Sequence, residues 1–489
     1  MSIRLFLTKA APLAAFVVGL CTITLPVFGD EAPAINYPRV VGFSPGHPFL
    51  FRIPASGDDP LEFTASGLPT GLTLDHATGL IFGVQTSAGS SDVKITVTNK
   101  LGSAASDLKL ICGANKLVQT PPMGWSPDNV FGAAVNDTEI RDAADHLVST
   151  GLAEHGYQYI FLGDSWEGKR TADGKLVSNN RFPDMKALID YIHSKGLKFG
   201  IYSAATSETP SGFAGSLGYE QEDAGTFASW GVDYLTYDWA PNQSETNLDQ
   251  KKPYADMGKA LAGTDRDIVY ALRVLKRMSE PDQVGDQVFE ARNGLYDDIS
   301  LIAQDALYQA NVDADFGPGH WISHGPLFIG RYGYPDLHLS RLTSGEQMTQ
   351  MSLWSLFSAP LVVSCDLNHL DPNLFNHATS SILMNDEVLA VDQDPDAKPP
   401  VVISNGYGRS VWMKPLSDGR TAVAFVNTTN GPNWGEVKWA DINLSGTQPI
   451  RDLWNHQDLA PATGQFDSLV PPESVMLIAI GKASTSTGQ

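Results

Sequence analysis

Short apolar runs alternate with longer amphipathic stretches between about residue 120 and residue 396. The apolar runs have the length of strands buried on both faces, and helical spacing of apolar residues marks the stretches between them. Eight runs are predicted as strands: Met123 to Trp125, Tyr159 to Gly163, Lys198 to Ser203, Tyr234 to Tyr237, Ile268 to Leu272, Gln287 to Ala291, Leu327 to Gly330 and Leu361 to Ser364. Eight strand–helix alternations predict a (β/α)8 TIM barrel, whose active site lies at the carboxyl ends of the strands.

Helix start signals in the amphipathic stretches agree with this prediction. Asn136 and Glu139 have the spacing of a capping box ahead of an apolar stripe, and Thr343 and Glu346 repeat that spacing. A third stripe of apolar residues runs from Met185 to Ile192. Helices are therefore expected after each of these start signals.

The segments on either side of the predicted barrel have β patterning. Residues 30 to about 115 are rich in Pro, Gly, Ser and Thr and hold alternating strands such as Val93 to Val97. The stretch Leu68 to Gly83 resembles the Ig-like modules of secreted bacterial proteins, which predicts a small β-sandwich used as a spacer rather than for sugar binding. Residues from about 398 to 485 predict a C-terminal antiparallel β-sandwich, for example at Thr421 to Val426.

The first 29 residues have the pattern of a signal peptide. Arg4 and Lys9 form a basic region, Ala10 to Leu25 is almost wholly apolar, and small residues ending at Gly29 supply a cleavage site. A retained membrane anchor is the alternative, but the apolar run is short for a span. We therefore expect a secreted or periplasmic protein.

Charge and cysteine content narrow the range of partners. The chain has 489 residues, with 33 Lys plus Arg against 55 Asp plus Glu and a net charge of −22. Such a field repels nucleic-acid phosphates and anionic lipids, so neither nucleic acid nor membrane is an expected partner. Beyond the signal segment only Cys112 and Cys365 remain, and their separation gives no indication of a disulfide or a metal site. No metal or organic cofactor is indicated, and the oligomeric state is open.

Acidic residues follow several of the predicted strands. Asp164 ends the run from Phe161, Asp238 ends the run from Asp233, and Asp297-Asp298 follows the predicted sixth strand. Two carboxylates at a barrel mouth suit glycoside hydrolysis, in which one attacks the anomeric carbon and the other serves as acid and then base. A helix cap or a salt-bridge partner is the alternative role for any single one of them.

Motifs in the barrel segment carry a more specific resemblance. They include Pro122-Met123-Gly124-Trp125, the stretch from Phe182 to Lys186, His193 to Ser203, Trp230 to Leu235, Gly317-Pro318-Gly319-His320-Trp321, Ala359-Pro360-Leu361, Cys365-Asp366-Leu367, Asn385 to Val388 and Asp392-Gln393-Asp394-Pro395. Together these motifs are similar, in the same order, to those of the α-galactosidase family of retaining glycosidases (glycoside hydrolase family 27). The leading Ig-like module and trailing β domain resemble a bacterial branch of that family.

The resemblance implies roles for individual residues. Asp238 matches the family's nucleophile. Asp298 matches the acid/base if the spacer after Arg292 is two residues longer than usual, and Asp297 is its rival. Substrate-binding roles are implied for five residues: Trp125, Asp164, Trp166, Tyr202 and Arg292. For Trp125 and Tyr202, packing in the core is the alternative.

This sequence departs from the family pattern around the sugar pocket. Gly163 replaces the first Asp of an Asp-Asp pair, and Thr236 replaces a Lys two residues before the nucleophile. Ser126-Pro127-Asp128 stands in place of a Trp-bearing continuation of the first strand. Ile322 to Gly325 replaces an Asn-Asp-Pro-Asp run, and Ala240 and Pro210 stand roughly where the family often has a disulfide. Four residues are candidate replacements for the lost polar groups, although each type more often lies on a solvated surface: Arg273, His324, Glu167 and Arg331.

The sequence therefore predicts an exported, retaining exo-glycosidase that cleaves terminal α-linked galactose or a related sugar. Two alternatives stay open. One is a glycosidase with changed sugar specificity, and the other is a non-catalytic carbohydrate-binding barrel, which the replaced Lys and Asp would favour. A weaker alternative is a scaffold that its Ig-like module attaches to other envelope proteins.

Overall fold

The computed structural model describes residues 31–241, 249, 251–273, 288–290, 299–312, 316–370 and 377–483. These residues form an N-terminal β-sandwich, a central barrel with outer helices, and a C-terminal antiparallel β domain. The predicted fold class is confirmed. The predicted signal segment, residues 1–29, lies outside the described residues.

The N-terminal sandwich packs a four-stranded sheet against a three-stranded one. Its strands are β1 (Ala34–Ile35), β2 (Val40–Phe43), β3 (Phe49–Arg52), β4 (Ala55–Ser56), β5 (Glu62–Ser66), β6 (Leu72–Leu74), β7 (Leu80–Gly83), β8 (Gly89–Asn99) and β9 (Gly102–Cys112). The sheets have the orders β2-β9-β8-β5 and β3-β7-β6, and β1 pairs with β4. Alternate residues of β8, such as Val93, Ile95 and Val97, are buried between the sheets, as strand periodicity requires.

The N-terminal sandwich rests on the amino-terminal face of the barrel. Asp267, which precedes a barrel strand, accepts hydrogen bonds from the Ser44 backbone N–H at 2.7 Å and the His47 ring at 2.9 Å. The Gln158 amide, also ahead of a strand, donates to the Arg52 carbonyl at 2.7 Å. This domain therefore lies on the face opposite the carboxyl ends of the strands.

The barrel is an eight-stranded parallel sheet. Its strands are β10 (Met123–Trp125), β11 (Tyr159–Leu162), β12 (Lys198–Ala204), β13 (Tyr234–Asp238), β14 (Val269–Arg273), β15 (Val288–Glu290), β16 (Trp321–Ser323) and, after the short hairpin β17 (Arg331–Tyr332) and β18 (His338–Leu339), β19 (Leu361–Val363). Strands β10 to β16 pair in sequence order, and β19 pairs with β10.

The seventh strand is not where the sequence predicted it. Trp321 to Ser323 pairs with β15 and forms that strand, whereas the predicted run from Leu327 to Gly330 makes a single parallel bridge, Leu327 to Val363. The run is buried, and the Leu327 N–H donates to the Val362 carbonyl at 2.8 Å. The Phe328 and Gly330 N–H groups donate instead to the side chains of Gln350 and Gln347, so no strand ladder continues along the run. A short buried apolar run can therefore have the sequence pattern of a strand without forming one.

Eight described helices accompany these strands. They are α1 (Asp137–Ser149), α2 (Met185–Ser194), α3 (Glu220–Trp230), α4 (Lys251–Ala262), α5 (Ile299–Val312), α6 (Ser344–Leu356), α7 (His377–Leu383) and α8 (Asp386–Asp392). Both predicted capping boxes are confirmed, Asn136 with Glu139 at α1 and Thr343 with Glu346 at α6. The apolar stripe of α2 is buried against the sheet as predicted.

The C-terminal domain is antiparallel and packs on α6 and α8. Its strands are β20 (Val401–Gly406), β21 (Arg409–Pro415), β22 (Thr421–Asn427), β23 (Asn433–Lys438), β24 (Thr447–Asp452), β25 (Gln457–Thr463), β26 (Gln465–Val470) and β27 (Ser474–Ile480). Lys414 joins the domain to the barrel, because its buried ammonium donates to the Ser355 and Val391 carbonyls and to Ser358 Oγ. Burial lowers the pKa of Lys414 to about 8.

Within the described residues, each helix is too short or too polar to span a bilayer.

Candidate active site

The carboxyl ends of the barrel strands surround a cavity of about 410 Å3. Among the described residues, every barrel strand except β15 contributes to its wall, either through residues of the strand itself or through the loop that follows. The volume lies within the range of roughly 300–1,000 Å3 that is typical of small-molecule sites. The cavity floor is aromatic, because Phe161 and Tyr234 meet edge to face with ring centroids 5.0 Å apart.

Asp238 and Tyr202 form a hydrogen-bonded pair at neighbouring strand ends. Asp238 is the last residue of β13, and the Tyr202 phenol on β12 donates to Asp238 Oδ2 at 2.8 Å. Burial, followed by the negative charge of Asp238, raises the pKa of Tyr202, so the phenol stays protonated and continues to donate. Tyr202 lines the cavity, and its hydrogen bond holds the Asp238 carboxylate next to the cavity wall.

Asp164 lies on another part of the wall with one oxygen unused. Its Oδ2 accepts the Ser211 backbone N–H at 2.9 Å. Its Oδ1 is buried and has no hydrogen-bond partner among the described residues. A buried acceptor of this kind is costly unless a donor reaches it, and the hydroxyl of a bound sugar is a suitable donor.

Glu167 lies behind Asp164 and is fully buried. Burial, reinforced by the negative charge of Asp164, raises the pKa of Glu167 well above its ordinary value. Its Oε2 accepts the Ser165 backbone N–H at 3.1 Å. Ser165 has a φ of 90°, a left-handed conformation that is strained for a residue with a Cβ and typical of functional sites.

Two of the expected sugar-binding tryptophans do not line the cavity. Trp125 is 1% exposed and donates its indole N–H to the Cys365 carbonyl at 2.8 Å, so it belongs to the core. Trp166 is fully buried between the sheet and α3, where it meets Phe227 and Trp230 edge to face. For Trp125 the core-packing alternative describes its position.

The positions where the sequence departs from the family pattern converge on this cavity. Gly163 and Thr236 both line it, and neither supplies a charge. Arg273, at the end of β14, lines it as well and lies in register beside Asp238. Its guanidinium is 6.0 Å from the Tyr202 ring centroid. Arg273 is therefore the candidate replacement that the structure places at the site.

The other three candidate replacements do not line the cavity, and two of them are not at the surface. His324 is 5% exposed and packs its ring against Trp354 and Phe357. Glu167 is fully buried, so the expectation of a solvated surface residue is wrong for both, because barrel packing rather than residue type decides their exposure. Arg331 is half-buried and donates to the Leu337 carbonyl at 3.2 Å.

Several predicted site residues lie outside the described residues. These are Arg292, Asp297 and Asp298. The roles implied for them remain predictions. Cys112 and Cys365 are buried free thiols, and no cluster of potential metal ligands occurs in the part of the chain that the structure describes.

Sequence reasoning did not assign a role to Asp128, which the structure places on the cavity wall. Asp128 follows β10, and the turn that carries it is attached to the end of β19, because the Asn129 N–H donates to Ser364 Oγ at 3.1 Å. The available signal was the Ser126-Pro127-Asp128 segment, which introduces a carboxylate after a barrel strand and lacks the Trp of the family pattern.

A (β/α)8 barrel that sets a hydrogen-bonded carboxylate beside a sugar-sized, aromatic-floored cavity has the architecture of a glycoside hydrolase. Comparison with known proteins identifies the glycoside hydrolase family to which the chain belongs. The family model described as Alpha galactosidase A matches residues 120–394, the Alpha galactosidase C-terminal beta sandwich domain matches residues 407–480, and an Ig domain model matches residues 32–111. The chain belongs to the α-galactosidase family, glycoside hydrolase family 27.

Individual relatives agree with this membership. The chain is 37% identical to an alpha-galactosidase of Cyamopsis tetragonoloba over 368 residues, which is 72% of this chain and 84% of that protein. The structure is similar to that of a candidate alpha-galactosidase from Bacteroides fragilis, with a TM-score of 0.86, 32% identity, and coverage of 94% of this chain and 100% of the other. Alpha-galactosidase I of Mortierella vinacea gives a TM-score of 0.68 at 28% identity, with coverage of 77% and 100%.

Proposed function

We propose that this protein is an exported, retaining exo-glycosidase that hydrolyses a terminal α-linked galactose or a closely related neutral sugar. The observation that carries the proposal is the Asp238 carboxylate at the end of β13, held by the Tyr202 phenol at 2.8 Å beside a cavity of about 410 Å3. Relatives named alpha-galactosidase support the sugar. Export rests on the signal-peptide pattern of residues 1–29 alone.

In the proposed mechanism, Asp238 attacks the anomeric carbon as the bond to the aglycone oxygen breaks. An acid, for which we propose Asp298 with Asp297 as the rival, gives its proton to the departing oxygen. The same residue, now a base, takes a proton from water, which attacks the glycosyl-enzyme and releases Asp238. Two displacements at one carbon return the original anomeric configuration.

The described wall residues have supporting roles in this scheme. Tyr202 orients the attacking carboxylate by its hydrogen bond. Asp164 Oδ1, a buried acceptor without a described donor, suits a ring hydroxyl. Arg273 supplies positive charge next to Asp238 in the sheet register. The Tyr202 ring and the aromatic floor provide apolar surface for the C–H face of a pyranose.

A panel of nitrophenyl glycosides tests the proposal. It comprises the α-galactoside, β-L-arabinopyranoside, α-N-acetylgalactosaminide and α-glucoside, assayed with the wild type, Asp238→Asn and Asp190→Asn. Asp190 is a matched control, because its carboxylate is exposed on α2 and its partner among the described residues is Lys186 on the same helix. We expect turnover of one substrate, lost in Asp238→Asn and kept in Asp190→Asn. NMR of the first-formed sugar should show the anomer of the substrate. Equal turnover by Asp238→Asn would contradict the assignment.

A changed sugar specificity or a binding role is the second candidate. The observation that favours it is that Gly163 and Thr236 line the cavity where the family pattern has a carboxylate and an ammonium. Each charge-assisted hydrogen bond contributes roughly 1.5–3 kcal/mol, so two uncompensated losses would weaken galactose recognition by about a hundredfold or more. A preference for another sugar in the panel, or saturable sugar binding without hydrolysis, would establish this candidate.

A further inference from the structure

A side chain on residue 163 would collide with the Asp128 carboxyl group in its observed position. A Cβ placed there would lie 2.2 Å from Asp128 Oδ1, 2.9 Å from its Cγ and 3.0 Å from its Oδ2. The φ angle of Gly163 is outside the left-handed region, so the obstacle to a side chain here is the Asp128 carboxyl group and not the backbone conformation. A side chain on residue 163 would therefore require the Asp128 carboxyl group to leave its observed position.

The Asp128 carboxyl group occupies the corner of the cavity that a side chain on residue 163 would enter. The 2.2 Å between Asp128 Oδ1 and the Cβ position at 163 is close to the separation of Oδ and Cβ within one aspartate. Asp128 and Gly163 both line the cavity. The negative charge that the family pattern places after the second barrel strand is thus supplied here from the loop after the first.

The turn that carries Asp128 is fixed at both ends. Ser126 donates its backbone N–H to the Val363 carbonyl at 2.9 Å, and its carbonyl accepts from Ser364 Oγ at 3.0 Å. Beyond Asp128, the Phe131 N–H returns to the Pro127 carbonyl at 2.8 Å, which closes the turn. A carboxylate on a braced turn is preorganised for a ligand, since little entropy is lost when the ligand binds.

Asp128 is exposed on the cavity wall, so a sugar can reach it. A carboxylate has only acceptor sites, and its two oxygens can accept hydrogen bonds from neighbouring sugar hydroxyls. Asp164, which directly follows Gly163, offers a second acceptor in Oδ1. Two acceptors on one side of the cavity suit a neutral pyranose with neighbouring hydroxyls.

We propose that Asp128 is a sugar-binding, specificity-determining residue that replaces the carboxylate absent from position 163. The proposal rests on the proposed function for the identity of the sugar, but it concerns binding and can be tested without turnover. It accounts for two departures from the family pattern at once, because the glycine at 163 makes room for the aspartate at 128.

The test measures calorimetric binding of D-galactose, L-arabinose, N-acetyl-D-galactosamine and D-glucose to the full chain. The variants are Asp128→Asn, Asp128→Ala, Gly163→Asp and the double variant Asp128→Ala/Gly163→Asp, with Asp190→Asn as the control. Asp128→Asn should bind the preferred sugar about 10- to 100-fold more weakly, as expected for a lost charged hydrogen bond. Circular dichroism of each variant checks that it is folded.

The double variant distinguishes ligand binding from a structural role. Gly163→Asp alone should bind poorly because its side chain collides with Asp128, whereas the double variant should bind at least tenfold more tightly than either single substitution, Asp128→Ala or Gly163→Asp. Bracing of the turn by Asp128 could not be restored by a carboxylate on a different strand. Deoxy analogues of the preferred sugar then locate the contact, since Asp128→Asn should not weaken binding of the analogue that lacks the bound hydroxyl.

Failure of this proposal and failure of the proposed function give different results. Unchanged binding in Asp128→Asn, within twofold, would overturn the proposal even if the enzyme hydrolyses the panel. Binding that depends on Asp128 without any hydrolysis would support the proposal and refute the glycosidase function. If the wild type bound none of the four sugars, both would be refuted.

Discussion

Removal of the Tyr202 hydroxyl should weaken catalysis without preventing folding. In Tyr202→Phe, Asp238 Oδ2 loses a hydrogen bond of 2.8 Å from a side chain that is 3% exposed. The ring remains, so the cavity wall keeps its shape. A hydrogen bond to a charged group contributes roughly 1.5–3 kcal/mol, which corresponds to about a 10- to 100-fold decrease in kcat/KM if Tyr202 orients the attacking carboxylate in the transition state.

The same substitution should change the pH dependence of the reaction. A hydrogen bond to the ionised carboxylate disfavours its protonation, so the loss of that bond lets Asp238 take up a proton more readily. Because the proposed mechanism requires the ionised form, the acid limb of the kcat/KM profile should move to higher pH by about one unit, the equivalent of roughly 1.4 kcal/mol.

The assay is steady-state hydrolysis of the preferred nitrophenyl glycoside between pH 3 and pH 8. Tyr157→Phe is a matched control, because it also removes a buried phenol hydroxyl, one that donates to the Leu383 carbonyl at 3.0 Å and lies outside the cavity. It should cost a comparable amount of stability and leave the profile unchanged. If Tyr202→Phe retained kcat/KM within twofold and the wild-type acid limb, the orienting role of Tyr202 would be refuted.

Three further predictions concern the framework that positions the site. Burial raises the pKa of Asp233, but the His193 ring and the Arg266 guanidinium outweigh burial and hold that pKa at about 2. Since the folded-state pKa of Asp233 is depressed, its ionised carboxylate stabilises the fold by about 2 kcal/mol above roughly pH 4, and this stabilisation is lost as the pH falls toward 2. In denaturant titrations, Asp233→Asn should therefore have a lower unfolding free energy than the wild type at pH 6. The two proteins should become equally stable near pH 2. Asn136→Ala removes the α1 capping box and should cost about 1 kcal/mol in the same titrations, with kcat/KM unchanged. Arg170→Met leaves the fully buried Asp223 without its 2.6 Å ion pair and should lower the unfolding free energy by about 3–5 kcal/mol. The double variant Arg170→Met/Asp223→Leu also removes the buried charge and should recover much of that stability. A double variant no more stable than the single one would contradict this account.

Much of the fold could be predicted because the helix-capping residues and the alternation of strand and helix patterns indicate the same barrel. The capping boxes at Asn136 and Thr343 mark helix starts through hydrogen bonds that the sequence itself encodes. The seventh strand was misplaced because Leu327 to Gly330 and Trp321 to Ser323 are both short and mostly buried, and periodicity does not separate them. Only the pairing with β15, a contact distant in sequence, selects the second.

The site could be predicted in part. Asp238 and Tyr202 end up as partners because their strands are neighbours in the barrel and their positions fall at its carboxyl face. The direction in which Trp125 and Trp166 point depends on the twist and packing of the barrel, and sequence alone left that choice open. The collision between Asp128 and a side chain at position 163 arises because two loops approach closely in the folded barrel, and a sequence motif does not encode that distance.

The nucleophile is the central claim, and covalent trapping tests it most directly. The 5-fluoroglycosyl fluoride of the sugar identified by the panel should form a slowly hydrolysed ester with the wild type, because the fluorine at C5 slows both displacements while the fluoride leaving group lets the first one proceed. Peptide mass spectrometry should then locate the added mass on Asp238, and Asp238→Asn should take up none. A label on another carboxylate, or turnover with inverted configuration and no covalent species, would contradict the account.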